Sequence, residues 1–315
     1  MEEEAIIDVE HLTKDYGHGR GVFDVTIHVH KGECFGYLGP NGAGKSTTIR
    51  HIMGFSKPQK GSIKVFGIES FGHTDEILGK VGYLPGEVAL PSGLTGWEFL
   101  HMMQGLRGPA NDAMLKRLLE TFELDPSGST KRMSLGVKRK LAVVAAFMND
   151  PEVLVLDEPT SGLDPLMQRR FIDFVLEEKA RGKTILISSH IFSEVDAMCD
   201  TITIIKDGIH VSTIKASDFK NSDSKRFLVS FTTTAEKERF IRENQNYKTT
   251  SKTPTDLELD FPKASSSEVI STLAHYDFTK FNEIQFSLES YFMAFYKENK
   301  AFGGLEGIKG GATHE

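Results

Sequence analysis

The chain has 315 residues, 37 of them Lys or Arg and 44 Asp or Glu, for a formal net charge of −7. That length holds one large domain and a smaller one, and 26% charged with 39% hydrophobic residues is ordinary for a water-soluble globular protein. The acidic balance argues against a nucleic-acid partner, which calls for a basic face.

In chain order, Ile6–Glu10, Val22–Val29 and Glu33–Leu38 read as short apolar strands, and Lys45–Met53 as a helix after a Gly-rich turn. Val81–Leu84 is the next strand, followed by helices at Trp97–Gly105, Ala113–Thr121 and Val137–Met148. Val153–Leu156, Thr184–Ser188 and Thr201–Ile205 read as strands, interleaved with helices Pro165–Lys179 and Ile191–Met198. "KDG" at 206–208 marks a hairpin turn into Ile209–Thr213. "VLVL" and "TILIS" lack the alternation of a half-exposed strand, which indicates an α/β core with a largely parallel sheet.

A polar linker, "IKASDFKNSDSK" (214–225), separates this part from a different texture. "RFLVSF", "AEKERFIREN", "YKTTSK", "DLELDF", "SSEVISTLAHY" and "KFNEIQF" read as strand, helix, strand, strand, helix and strand, with "LESYFMAFYKEN" as a final helix. The order βαββαβ fits a small ferredoxin-like α+β module over residues 226–300. The tail 301–315 is Gly-rich and expected to be flexible. Cys34 and Cys199 are the only cysteines, outside any CxxC or Cys/His cluster, which favours a reducing compartment without structural zinc. The start "MEEEAIIDVE" has no signal-peptide pattern, and no apolar run approaches the roughly 20 residues that span a bilayer.

Three stretches carry chemistry. "GPNGAGKST" at 39–47 fits G-x-x-x-x-G-K-[ST] between a strand and a helix. There Gly39, Asn41, Gly42, Ala43, Gly44 and Thr47 shape a loop whose backbone N–H groups wrap a phosphate chain. Lys45 reaches the β- and γ-phosphates, and the Ser46 hydroxyl is a Mg²⁺ ligand. "VLVLDE" at 153–158 ends a buried strand in two carboxylates at the ligand-binding edge of an α/β sheet; Asp157 suits direct or indirect Mg²⁺ contact and Glu158 an attacking water. "SSH" at 188–190 closes the next strand, where His190 could contact a γ-phosphate and orient water.

On these motifs, in this order, residues 1–213 resemble the nucleotide-binding subunit of an ABC transporter, a P-loop NTPase core with antiparallel β and α-helical subdomains, the helical one at about 86–150. Further matches are "SGLD" at 161–164, whose Asp164 corresponds to the acidic residue of the family's D-loop, and Tyr16 in "LTKDYG", matching the aromatic that stacks on adenine. "MSLGVKRK" at 133–140 resembles the signature motif, usually L-S-G-G-Q, keeping Ser134 and Gly136 but placing Leu135 and Val137 at the other Gly and the Gln. The resemblance implies that Ser134 and Gly136 touch the γ-phosphate of ATP held by an opposite subunit, either a second copy of this chain or a paralogous ATPase subunit. It also implies ATP and Mg²⁺, a separate permease, and a place on the cytoplasmic face of the cell membrane.

A second departure lies in "VGYLPGEVALP", where Gly86 occupies the position of a Gln that ligands Mg²⁺ in the family. Glu87 next to it could supply the metal ligand instead, since a carboxylate is a good hard-cation donor, or serve as a docking or solvent residue. "LPGE" and "SLGVKRK", with "SLESYF" near the end, look most like subunits of ABC-2 type exporters of the drug and bacteriocin-immunity kind. The segment 86–107 is then expected to face the permease, with Leu90, Leu94 and Met103 exposed and Trp97 in the subdomain core. The competing reading is a soluble ABC ATPase acting on ribosomes or nucleic acid; the single domain, the acidic charge and the lack of a heptad run weigh against it. A regulator without turnover would lack Glu158 or His190, and both are present.

Overall fold

The computed structural model of the chain describes residues 5–217, 224–262, 266–284 and 288–289. In chain order its elements are β1 (Ala5–Asp15), β2 (Gly21–His30), β3 (Cys34–Leu38), α1 (Lys45–Ile52), β4 (Lys60–Val65), β5 (Ile68–Glu69), α2 (Thr74–Lys80) and β6 (Val81–Leu84). They continue with α3 (Gly96–Arg107), α4 (Asp112–Thr121), α5 (Leu135–Phe147), β7 (Val153–Asp157), α6 (Pro165–Ala180), β8 (Thr184–Ser189), α7 (Phe192–Met198), β9 (Thr201–Lys206) and β10 (Ile209–Lys215). The second unit holds β11 (Ser224–Phe231), α8 (Thr234–Glu243), β12 (Lys248–Ser251), β13 (Asp256–Pro262), α9 (Ser266–Leu273) and β14 (Phe278–Ile284). Contacts divide the chain into these two compact units between Ala216 and Ser217.

Every residue of β3, β7 and β8 is buried, and these strands lie at the centre of a parallel run ordered β9-β3-β8-β7-β6. Strands covered on both faces need apolar side chains at every position, which is why "VLVL" shows no alternation. The remaining strands, β5-β4-β1-β2, form an antiparallel layer joined through β10. That layer is half-exposed, and β2 alternates accordingly, with Val22, Val25, Ile27 and Val29 inside.

The pairing β4–β5 and helix α2 were not among the expected elements. β4 begins with Lys60 and Gly61 on the surface, and α2 is only 7 residues long, so neither presents a full period of apolar positions. Helix α5 starts at Leu135 rather than Val137 because the Ser134 hydroxyl accepts the Val137 N–H at 3.3 Å and caps it there. Phe147 on α5 meets Phe171 and Phe174 of α6 edge-on, at centroid distances of 6.4 and 5.2 Å. Burying each such ring is worth about 1.5–3 kcal/mol, so α5 is a rigid carrier for whatever its first turn presents.

In the second unit the strand order is β12-β13-β11-β14, all antiparallel. That is the order of a ferredoxin-like βαββαβ module. Phe227, Val229 and Phe231 of β11 and Leu257, Leu259 and Phe261 of β13 face Phe240 of α8 and Val269 of α9 in one core. The expected linker is described only in part. The expected final helix, apart from residues 288–289, and the tail 301–315 lie outside the described residues.

Candidate functional site

The register of the parallel strands brings three strand ends to one level: Leu38 pairs with Ser189, and Asp157 with Ser188. The loop after β3, the acidic pair after β7 and His190 after β8 therefore share the carboxyl edge of the sheet, where α/β proteins bind ligands. In the first loop, Gly44 has φ 105° and an added Cβ would stand 2.7 Å from Val22 Cγ1; only glycine fits that conformation and that space. Its carbonyl accepts the Thr48 N–H at 3.0 Å, and the other N–H groups of the first turn have no capping side chain. Exposed donors at a helix start suit an anion.

Lys45 is 5% exposed, and its Nζ donates to the carbonyls of Gly39 at 2.6 Å and Pro40 at 3.1 Å. It also stands 3.0 Å from Glu158 Oε1 as an ion pair. With its hydrogen bonds aimed at the carbonyls, Nζ leaves that oxygen buried and without an aligned donor. The other oxygen, Oε2, meets His190 Nδ1 at 2.7 Å. Glu158 itself sits at φ 47°, a left-handed conformation costing a non-glycine residue of order 1–3 kcal/mol. Its N–H donates to the Ser188 carbonyl and hydroxyl, both at 3.1 Å, while the same hydroxyl donates to buried Asp157 Oδ1.

Two cavities open on this edge. One of about 490 Å³ is lined by Tyr16, Asn41, Gly42, Gly44, Lys45, Ser46, Thr47 and Glu158. Tyr16 is 51% exposed and lies under Lys14 Nζ, 5.7 Å from the ring centroid. The other, of about 690 Å³, brings Ser46, Gly86, Glu87, Asp157, Glu158 and His190 to one wall. Ser46 and Asp157 are hard oxygen donors on that wall and Glu158 Oε1 lacks an aligned partner, so the residues present fit a divalent cation beside a phosphate chain. At Gly86 an added Cβ would lie 2.9 Å from Asp157 Oδ2, so the metal-side carboxylate occupies the space where a longer side chain at 86 would begin.

Ser134, Gly136 and Asp164 line neither cavity. Asp164 caps α6, accepting the Met167 N–H at 3.0 Å, and an added Cβ on Gly136 would stand 3.2 Å from the Gly162 carbonyl. Leu135 between them is 67% exposed. On α3, Trp97, Met102 and Leu106 are exposed and Met103 is half-buried, as are Leu90 and Leu94 in the loop before it. Trp97 is thus exposed where a buried side chain was expected, and Leu90, Leu94 and Met103 are less exposed than expected.

Sequence reasoning missed Ser188 and, above all, Arg139 of α5. Its side chain is 2% exposed and donates to the carbonyls of Pro85, Gly86, Asp157, Glu158 and Pro159. Burial pushes its pKa down to about 10 against the pull of Asp157 and Glu158, so it stays charged at neutral pH.

A glycine-rich strand-to-helix loop, with its lysine against an acidic strand end, defines a P-loop ATPase domain. Residues 22–161 match the family model described as ABC transporter. The chain is 34% identical over 225 residues to a bacitracin transport ATP-binding protein of Enterococcus faecalis, covering 70% of this chain and 73% of that one. It is 37% identical over 209 residues to a Nod factor export ATP-binding protein of Burkholderia pseudomallei, covering 65% and 69%. A solved structure described as the ATP binding subunit of an ABC transporter superposes with TM-score 0.62 at 32% identity, over 68% of this chain and 92% of that one. The chain belongs to the ABC transporter ATP-binding family.

Proposed function

We propose that this chain is the ATP-hydrolysing motor subunit of an ABC exporter, working head-to-tail with a second copy or a paralogous subunit. It drives a separate ABC-2 type permease at the cytoplasmic face of the membrane, with the ferredoxin-like unit as an accessory module. The observation that carries the hydrolytic reading is Glu158 set between Lys45 and His190 at 3.0 and 2.7 Å. Relatives named for bacitracin transport and Nod factor export favour export. Among the described residues no helix is long and apolar enough to cross a membrane.

ATP is the substrate. In this reading Tyr16 stacks on the adenine, the loop 39–47 wraps the phosphates, and Lys45 turns from the Gly39 and Pro40 carbonyls towards the β- and γ-phosphates. Ser46 and Asp157 would hold Mg²⁺, which when bound neutralises phosphate charge. Glu158 accepts a proton from water as its oxygen attacks the γ-phosphorus and the bond to ADP breaks. His190 and, from the opposite chain, Ser134 and Gly136 hold the γ-phosphate oxygens, and Asp164 lies at the junction between the chains.

Glu87, on the wall of the larger cavity, is the candidate replacement for the missing Gln. Glu87→Ala is expected to raise the Mg²⁺ concentration for half-maximal hydrolysis severalfold, with Glu87→Gln milder; an unchanged Mg²⁺ titration would make Glu87 a docking or solvent residue. The transporter assignment is tested by purification from detergent-solubilised membranes. The tagged chain is expected to bring down a polytopic membrane protein, and Leu106→Glu, on the exposed face of α3, to release it while MgATP binding persists. Recovery of the chain alone, from a host encoding its native neighbours, would favour the soluble reading.

A further inference from the structure

We infer that Arg139 is a positioning residue for hydrolysis: it locks the Asp157–Glu158 strand end and the Pro85–Gly86 turn into one arrangement and so holds Glu158 in its working conformation. The inference rests on the role proposed for Glu158. A guanidinium has five N–H donors in a fixed planar fork. Here Nε donates to the Pro159 carbonyl at 3.0 Å, one terminal nitrogen to Pro85 and Gly86 at 2.6 and 3.1 Å, and the other to Asp157 at 2.9 Å and to Glu158. Every donor is used, every acceptor is a backbone carbonyl, and the five acceptors come from the carboxyl ends of two paired strands, β6 and β7.

The arrangement acts on Glu158 in particular. Its left-handed φ of 47° is held from the N–H side by Ser188 and from the carbonyl side by Arg139. A residue in a sparsely populated conformation persists only when its surroundings over-determine it. The Pro85–Gly86 turn enters through the same rigid plane, and Gly86 already approaches Asp157 so closely that an added Cβ would lie 2.9 Å from Oδ2. A shift of that turn therefore cannot leave Asp157 and Glu158 in place. Where family members carry a Gln side chain this chain has none, and Arg139 supplies the link from position 86 to the acidic pair. Arg139 also sits on the helix that Ser134 caps, so the first turn facing an opposite chain and the acidic pair are fixed to one another.

The test is Arg139→Gln and Arg139→Lys, each alone and in a Glu158→Gln background, read by MgATP affinity, kcat and thermal unfolding. Misplacement of a reacting group by about 1 Å costs on the order of 10²-fold. Arg139→Gln is accordingly expected to lower kcat about 100-fold while MgATP affinity stays within about threefold. Lysine keeps the charge but has three donors for five carbonyls, so it should recover kcat only in part; if the glutamine variant does not fold, the lysine variant carries the test. In the Glu158→Gln background the further loss should be under about threefold, because residues acting through one group are not additive. Equal losses in both backgrounds, or affinity falling in step with kcat, would overturn the inference and leave the proposed function standing. Parental turnover in Glu158→Gln alone would remove the role of Glu158 and the positioning role with it.

Discussion

Lys45→Ala is expected to abolish ATP hydrolysis and to weaken MgATP binding by about 30-fold or more. Lys45 is a buried cation with one carboxylate and two carbonyls around it. Removing one partner of a desolvated charge contact costs roughly 2–5 kcal/mol, and each 1.4 kcal/mol is about tenfold in affinity. Alanine leaves Glu158 Oε1 without the Lys45 cation, so the negative edge would repel a triphosphate as well as lose its anchor. Thermal unfolding serves as the control, since α1 and β3 are packed through residues other than Lys45, including Tyr37 against Thr48 at 3.1 Å. Hydrolysis at the parental rate in a folded Lys45→Ala chain would sink the assignment of the 39–47 loop.

Glu158→Gln is expected to leave MgATP binding intact and to slow hydrolysis about 10²–10⁴-fold, the usual worth of a general base, or roughly 3–5 kcal/mol of barrier. Glutamine matches the shape and can still hydrogen-bond His190, but it has negligible affinity for the proton that water must lose. The ion pair with Lys45 is lost as well, which frees Nζ for a phosphate, so affinity should hold or rise. Single-turnover kinetics separates the two effects. A variant that binds and cleaves like the parent would show that another group accepts the proton.

The parts of the site that lie contiguous in sequence were legible without a structure. The loop 39–47 carries its glycines, Lys45 and Ser46 in one stretch, and the fully buried strands β3, β7 and β8 announce themselves as unbroken apolar runs ending in that loop, the acidic pair and "SSH". The parallel arrangement of these strands was legible for the same reason: a wholly buried strand followed by a helix has few places to go. Long-range packing was not. Arg139 stands between Lys138 and Lys140 in what reads as a solvated cationic run, and only the fold buries its side chain under the strand end while its neighbours are half-buried. Trp97 was expected inside because large aromatics usually are; it lies at the surface because Phe99 and Leu100 already fill the buried face of α3. β4, β5 and α2 were missed because they are short, at 6, 2 and 7 residues, with stability drawn from neighbours rather than from local pattern.

In the proposed head-to-tail arrangement the nucleotide site is completed by two chains; within one chain, Ser134 and Gly136 line neither cavity. Glu158→Gln makes that claim directly measurable, because slow hydrolysis keeps the nucleotide-bound form from turning over. The decisive measurement is the molar mass of this variant by light scattering, with and without MgATP, beside the same variant carrying Ser134→Arg. A doubled mass is expected with MgATP, returning to the single-chain value when Arg stands at 134 or nucleotide is removed. A single-chain mass for Glu158→Gln saturated with MgATP would contradict it.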